Sequence, residues 1–148
     1  MTETVPVTGV AQTGRDRVRV MTGLTTHAGR PYLCGPALTC ACAPEDNLAM
    51  HAALYQAGPG AVLVCDGAGS TRCALFGELM ATDALGQGLA GLVVAGPVRD
   101  IADIDELGFP VWCTGTASLT SAPPRLVRGK PQCAARGAPG GRPRPLKS

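Results

Sequence analysis

The stretch from Gly77 to Asp100, GELMATDALGQGLAGLVVAGPVRD, constrains the fold more than any other part of the chain. Leu79, Ala81, Ala84 and Leu85 fall at helical spacing, and Gly86 and Gly88 end that pattern. Gly91 to Ala95 then forms an apolar run of the length of a buried strand, carried by Gly96-Pro97-Val98 to Arg99-Asp100. A helix returning through a glycine turn into a strand is a unit of an alternating α/β fold. The 20 residues between Glu78 and Arg99 allow one helix and one strand to bring an acid, a guanidinium and a second acid, Asp100, together.

The rest of the chain repeats this alternation. Leu33 to Ala43 reads as a strand, with Gly35-Pro36 near its start. Pro44-Glu45-Asp46-Asn47 is a helix-start signal, and helix one is expected from about Asn47 to Ala57, closed by Gly58-Pro59-Gly60. AVLVCD, Ala61 to Asp66, suits a strand covered on both faces, with Asp66 and the loop Gly67 to Ser70 at its ligand-facing end. Helix two starts near Ala74 or Gly77. IADIDEL, Ile101 to Leu107, is a short acidic helix, and Phe109 to Cys113 is one more strand.

Composition sharpens the division of the chain. With 3% aromatic residues, 20 Gly and 13 Pro, the core is built from small aliphatic side chains and many turns. Residues 1–30 have no sustained period; Arg15 to Val20 is an edge strand at best, and little order is expected there. Residues 31–121 form the α/β domain, and residues 122–148 a disordered basic Arg/Gly/Pro tail. Nine acids and two bases, Arg72 and Arg99, lie between Pro31 and Pro124, whereas seven bases and no acid follow from Arg125. The net charge of +2 therefore belongs to the tail and argues for neither nucleic acid nor a membrane surface.

Seven cysteines without C-x-x-C spacing, and no leader or long apolar run ahead of them, lead to an expectation of reduced thiols in the cytoplasm. Cys40 and Cys42 share a strand face, but with no second pair they read as small buried hydrophobes. His27 reads as a loop residue. His51, one turn before Tyr55, reads as a packed or surface helix histidine, since one His makes no metal site. G-A-G-S at residues 67–70 is too loose for a dinucleotide loop.

Arg99 is one of two bases in an acidic core and requires an anionic partner, either an acid of this chain or a substrate carboxylate. Gly77 admits two readings, close approach of a ligand to the first amides of helix two, or packing alone.

GPALT, PEDNLAMHAAL, AGPGAVLVCDG, the Gly77 to Asp100 stretch and GFPVW, in this order and spacing, resemble the family of 4-hydroxy-4-methyl-2-oxoglutarate aldolase and the regulator of ribonuclease activity A. The resemblance covers about Gly35 to Gly115. It implies an α/β swivelling β/β/α domain, incomplete at both ends, in a cytoplasmic homotrimer with sites between subunits. It further implies a lyase cleaving 2-oxo acids, with oxaloacetate decarboxylation through the same pyruvate enolate. The implied roles are Asp100 and Asp103 at a divalent cation, Mg²⁺ or Mn²⁺, and Arg99, Glu78 and Asp100 in catalysis. Gly77, Leu79, Met80 and Arg99 would bind the substrate. Glu78 stands where the family's aldolases carry Asp.

The resemblance also implies a competing role, a non-catalytic regulator binding a ribonuclease. Asp100 separates the two, because a metal ligand serves the lyase and not protein binding. A methyltransferase label, used for some members, finds no glycine-rich cofactor loop after the first strand. The family's helical segment before GPALT, its closing strands and its neighbour-subunit acids are not recognisable. The expectation for APPRLVRGKPQCAARGAPGGRPRPLKS is therefore an out-of-frame tail or an inactive truncated paralogue.

Overall fold

A computed structural model describes residues 21–30, 32–121 and 133–134. Among the described residues, eight strands and three helices follow one another as β1 (Thr25–Ala28), β2 (Ala37–Ala41), α1 (Leu48–Gln56), β3 (Val62–Asp66), β4 (Cys73–Ala74), α2 (Glu78–Gly86), β5 (Gly91–Val98), α3 (Ile101–Leu107), β6 (Val111–Thr116), β7 (Leu119–Thr120) and β8 (Cys133–Ala134). The main sheet runs β1-β6-β5-β3-β2-β8, with β4 and β7 forming a separate pair. Its four central strands are mutually parallel, and β1 and β8 close it antiparallel at the two edges.

The alternation along each strand sets one face of the sheet inward. Leu38, Leu63, Leu92, Val94 and Val111 meet Met50 and Leu54 of α1, Ala81 and Ala84 of α2, and Ile104 of α3 in one apolar cluster. Phe76 and Phe109, both buried, stack at 6.0 Å between centroids within it. Truncating a fully buried side chain such as Leu63 to Ala would cost about 2–5 kcal/mol, the lost transfer energy plus the cavity left behind. On the other face Val64, Val93 and Trp112 are half-buried.

Helices one and two and the acidic helix lie where the apolar spacing put them, within one or two residues, with helix two starting at Glu78 beside the Gly77 alternative rather than at Ala74. The strand expected over Leu33 to Ala43 contracts to Ala37–Ala41. Its first residues turn instead: Gly35 packs its backbone on the Gly60 carbonyl, leaving no room for a Cβ. The strand over Gly91 to Ala95 is carried on by Gly96-Pro97-Val98 as expected, past a register shift between Val94 and Pro97 where proline removes a ladder donor. The Phe109–Cys113 strand moves forward to Val111–Thr116, after Pro110.

Two strands lie outside the segment read as the domain. β1 pairs with β6 within residues 1–30, where little order was expected, and β8 pairs with β2 beyond residue 121. Both borrow their regularity from a neighbouring strand's free edge, which no local period can reveal. Arg15 to Val20, and the tail apart from Cys133–Ala134, lie outside the described residues.

The thiols at Cys40, Cys42 and Cys65 are buried, with Cys42 Sγ 3.4 Å from Cys65 Sγ. Hydrogen bonds from the neighbouring thiols of Cys40 and Cys42, together with burial, push the Cys65 thiol far up. Cys40, Cys42 and Cys65 all pack in the apolar core cluster.

Candidate active site

The C-terminal end of β5 and the N-terminal end of α2 meet because the chain before α2 runs alongside the strand after it. Phe76 bridges Val98 in parallel, the Leu75 amide donates to the Pro97 carbonyl at 2.9 Å, and the Arg99 amide donates to the Phe76 carbonyl at 3.0 Å. These bonds close the 20-residue interval and set Gly77 against Arg99 and Asp100.

Gly77 is extended at φ −155°, a conformation open to any residue, so it is room rather than backbone freedom that demands glycine. A Cβ there would stand 2.8 Å from Asp100 Oδ2 and 3.0 Å from Arg99 Nε. The packing reading of Gly77 is thus met by side chains of this chain. Close approach to the first amides of α2 remains, because the helix's first internal bond runs from the Ala81 amide to the Gly77 carbonyl, 3.1 Å. That leaves three leading amides. Glu78 N donates to Asp100 Oδ2 at 3.3 Å, while Leu79 N and Met80 N have no partner among the described residues. Such unpaired amides at the positive end of a helix dipole favour an anion.

Arg99 and Asp100 form a pair, Nε to Oδ2 3.2 Å, with each side chain about one-third exposed. The Arg99 fork is steered by Thr120, whose Oγ1 accepts from Nη1 at 2.8 Å. Asp100 adopts a left-handed backbone at φ 56°, ψ 41°, directly before α3. A non-glycine residue there costs about 1–3 kcal/mol, and short polar Asp and Asn bear it best. Strain at the residue of greatest chemical interest marks a position where the side chain outweighs backbone comfort.

Two cavities lie near Asp100, whose Oδ2 bonds a residue bordering each, Arg99 and Glu78. One, of about 240 Å³, is bounded by Asn47, His51, Gly77, Met80, Arg99 and Thr120, among others. The other, of about 540 Å³ and more open, is lined by Glu78, Asp103, Glu106 and Leu107. The residues singled out in the sequence are therefore brought to one place but divided between two spaces. Arg99, Gly77, Leu79 and Met80 border the smaller cavity, and Glu78 and Asp103 border the larger. The Glu78 carboxylate accepts from Thr82 Oγ1 at 3.1 Å along its own helix.

Asp66 does not join them. Its carboxylate closes a local turn by accepting the Ala68 amide at 2.9 Å. Asn47, in turn, departs from the helix-capping role that its position suggested. Asp46 Oδ1 takes the Leu48 amide at 2.7 Å, and Asn47 Nδ2 reaches across to the Leu75 carbonyl at 3.0 Å, tying α1 to the start of α2. Thr120 was also missed, since it sits at the very end of the segment read as the domain and carries no local signal.

The donor set suits a hard, well-hydrated divalent cation. Asp100 Oδ2 is engaged by Arg99 and Glu78, whereas Oδ1 has no hydrogen bond among the described residues, and no three-ligand cage surrounds it. A cation taking one carboxylate oxygen and several waters fits that arrangement.

Comparison with known proteins identifies the family. The model of the RraA-like family, described as Aldolase/RraA, matches residues 8–132, well past both ends of the 31–121 domain. A protein of Alkalilimnicola ehrlichii, provisionally named 4-hydroxy-4-methyl-2-oxoglutarate aldolase, is 45% identical over 120 residues, 79% of this chain and 73% of that one. A protein of Halalkalibacterium halodurans with the same provisional name is 42% identical over 87 residues, 59% of this chain and 41% of that one. Apart from the Alkalilimnicola protein, the chain spans about half the length of the curated relatives named alongside it. The solved RNA-processing inhibitor RraA of Thermus thermophilus superposes with a TM-score of 0.78 at 28% identity, covering 89% of this chain and 77% of that one. Since the family model takes in most of the sequence and the fold follows a solved member, the chain belongs to the RraA-like family.

Proposed function

We propose that this protein is a divalent-metal-dependent lyase that cleaves 2-oxo acids, 4-hydroxy-4-methyl-2-oxoglutarate and oxaloacetate, through a pyruvate enolate. The observation that carries the reading is that Arg99, paired with Asp100, shares one small cavity with Leu79 and Met80, whose amides have no partner among the described residues. The provisional aldolase names of the curated relatives support it.

The residues divide the work by their chemistry. The Leu79 and Met80 amides receive the substrate carboxylate, and the Arg99 guanidinium grips a neighbouring oxygen with a planar fork that Thr120 holds in place. Asp100 would hold Mg²⁺ or Mn²⁺, with Asp103 nearby on α3, and such an ion supplies charge stabilisation for the developing enolate. Gly77 keeps the backbone low enough for Arg99 and Asp100 to lie across it. Glu78 orients water on the side of the larger cavity. The working unit is taken to be a cytoplasmic homotrimer; among the described residues no helix is long and apolar enough to cross a membrane.

The test is pyruvate release from both substrates with and without Mg²⁺, on the wild type and on Asp100→Ala. A metal-dependent rate lost in the variant is expected. Equal, metal-independent rates in both would sink the lyase reading. The likeness to the Thermus inhibitor favours a second reading, regulation of a ribonuclease, which that result would promote.

A further inference from the structure

The lyase reading leaves one requirement unassigned. Cleavage of a 4-hydroxy-2-oxo acid removes the proton of the C4 hydroxyl, breaks C3–C4 with its electron pair passing into the enolate, and returns a proton to C3. Glu78, an acid that the resemblance implies in catalysis, borders the other cavity and has its carboxylate engaged by Thr82. Arg99 stays protonated and is no base.

α1 offers another group. Asn47, His51 and Tyr55 stand one helical turn apart and so share a face. Asn47 Nδ2 bonds the Leu75 carbonyl ahead of α2, and Tyr55 Oη donates to Asp83 Oδ2 of α2 at 3.4 Å. His51 lies between these two tethers, so the same face turns it toward α2, where it borders the cavity with Arg99. It is half-buried, and its imidazole has no hydrogen bond or ion pair among the described residues. Among the described residues the charged group that borders the same cavity is Arg99, after β5, while Asp83 of α2 is held by Tyr55 one turn further along α1. The segment 117–121 presents only the hydroxyls of Thr120 and Ser121.

We propose that His51 is the proton carrier of this cavity, taking the C4 hydroxyl proton of a 4-hydroxy-2-oxo acid and delivering it to C3 of the pyruvate enolate. This rests on the lyase reading above. One neutral imidazole suffices: it becomes imidazolium when C3–C4 breaks and neutral again when the methyl group of pyruvate forms, with no other reactant. Decarboxylation of oxaloacetate makes a lesser demand. Its C3–C4 pair enters the enolate as CO₂ departs, no hydroxyl proton is removed, and water can protonate C3.

The experiment compares the two reactions in the same Mg²⁺-loaded full-length protein, wild type and His51→Gln, with far-UV circular dichroism confirming the fold. Aldol cleavage is expected to fall about 10²-fold, the low end for general acid–base catalysis, and decarboxylation by far less. The acid limb of kcat/KM for aldol cleavage, rising with pH as the base becomes neutral, should disappear in the variant. Added imidazole should restore part of the aldol rate of His51→Ala. An unchanged ratio of the two activities, or an acid limb that persists in His51→Gln, overturns this role while leaving the lyase intact. A wild type that releases pyruvate from neither substrate overturns the lyase reading and this role with it.

Discussion

The two cavities beside Asp100 are built from neighbouring residues yet differ in what they can bind. The smaller one is lined by Arg99, by Leu79 and Met80 at the start of α2, and by His51, with no carboxylate among its lining residues. The larger one joins three acids around Leu107 and opens to solvent. An anionic substrate belongs in the first, and the second can only repel it or hold water and cations. Nearness in sequence decides little here, since Glu78 and Leu79 are adjacent and Glu78 alone has its carboxylate on the acidic side.

Substitutions can break this contrast or sharpen it. Asp100 bonds a residue bordering each cavity, so Asp100→Ala should have the largest effect, about a 10³-fold loss of kcat/KM at the upper end of single electrostatic contacts. Asp100→Asn should match it in rate while keeping the melting temperature, because Asn tolerates the left-handed backbone. Arg99→Ala should cost about 10²-fold in pyruvate release, and an unchanged kcat/KM would remove its substrate role.

Gly77→Ala tests the wall of the smaller cavity beside Arg99 and Asp100. The added Cβ must displace Asp100 Oδ2 and Arg99 Nε, so a loss of about 1–3 kcal/mol in urea unfolding is expected, as for other overpacked sites, with reduced activity. Glu78→Gln should be the mildest, less than about a tenfold change, of the size of an outer hydrogen-bonding partner. If Glu78→Gln proved as damaging as Arg99→Ala in the same assay, the division into a binding side and a water side would fail.

Helix and strand placement was legible wherever apolar period and glycine punctuation coincided, as in Ala61 to Asp66 and Ile101 to Leu107. Edge strands were not, because Thr25–Ala28 and Cys133–Ala134 have no pattern of their own and owe their regularity to β6 and β2. The site was legible as a list: Glu78, Arg99 and Asp100 stood out by charge in a base-poor segment. Asn47, His51 and Thr120 were not, since an uncharged polar residue or a single histidine announces nothing until another element comes to face it.

The sequence by itself determined that a helix and a strand would return Arg99 and Asp100 to the start of α2, because periodicity and turn residues act locally and the interval has one compact closure. Tertiary structure alone decided which side chains share a cavity. Side-chain direction at a helix start depends on packing against partners distant in the chain. Thus Glu78 bonds Thr82 along its own helix, Arg99 reaches Thr120 of β7, and α1 carries His51 to the same cavity.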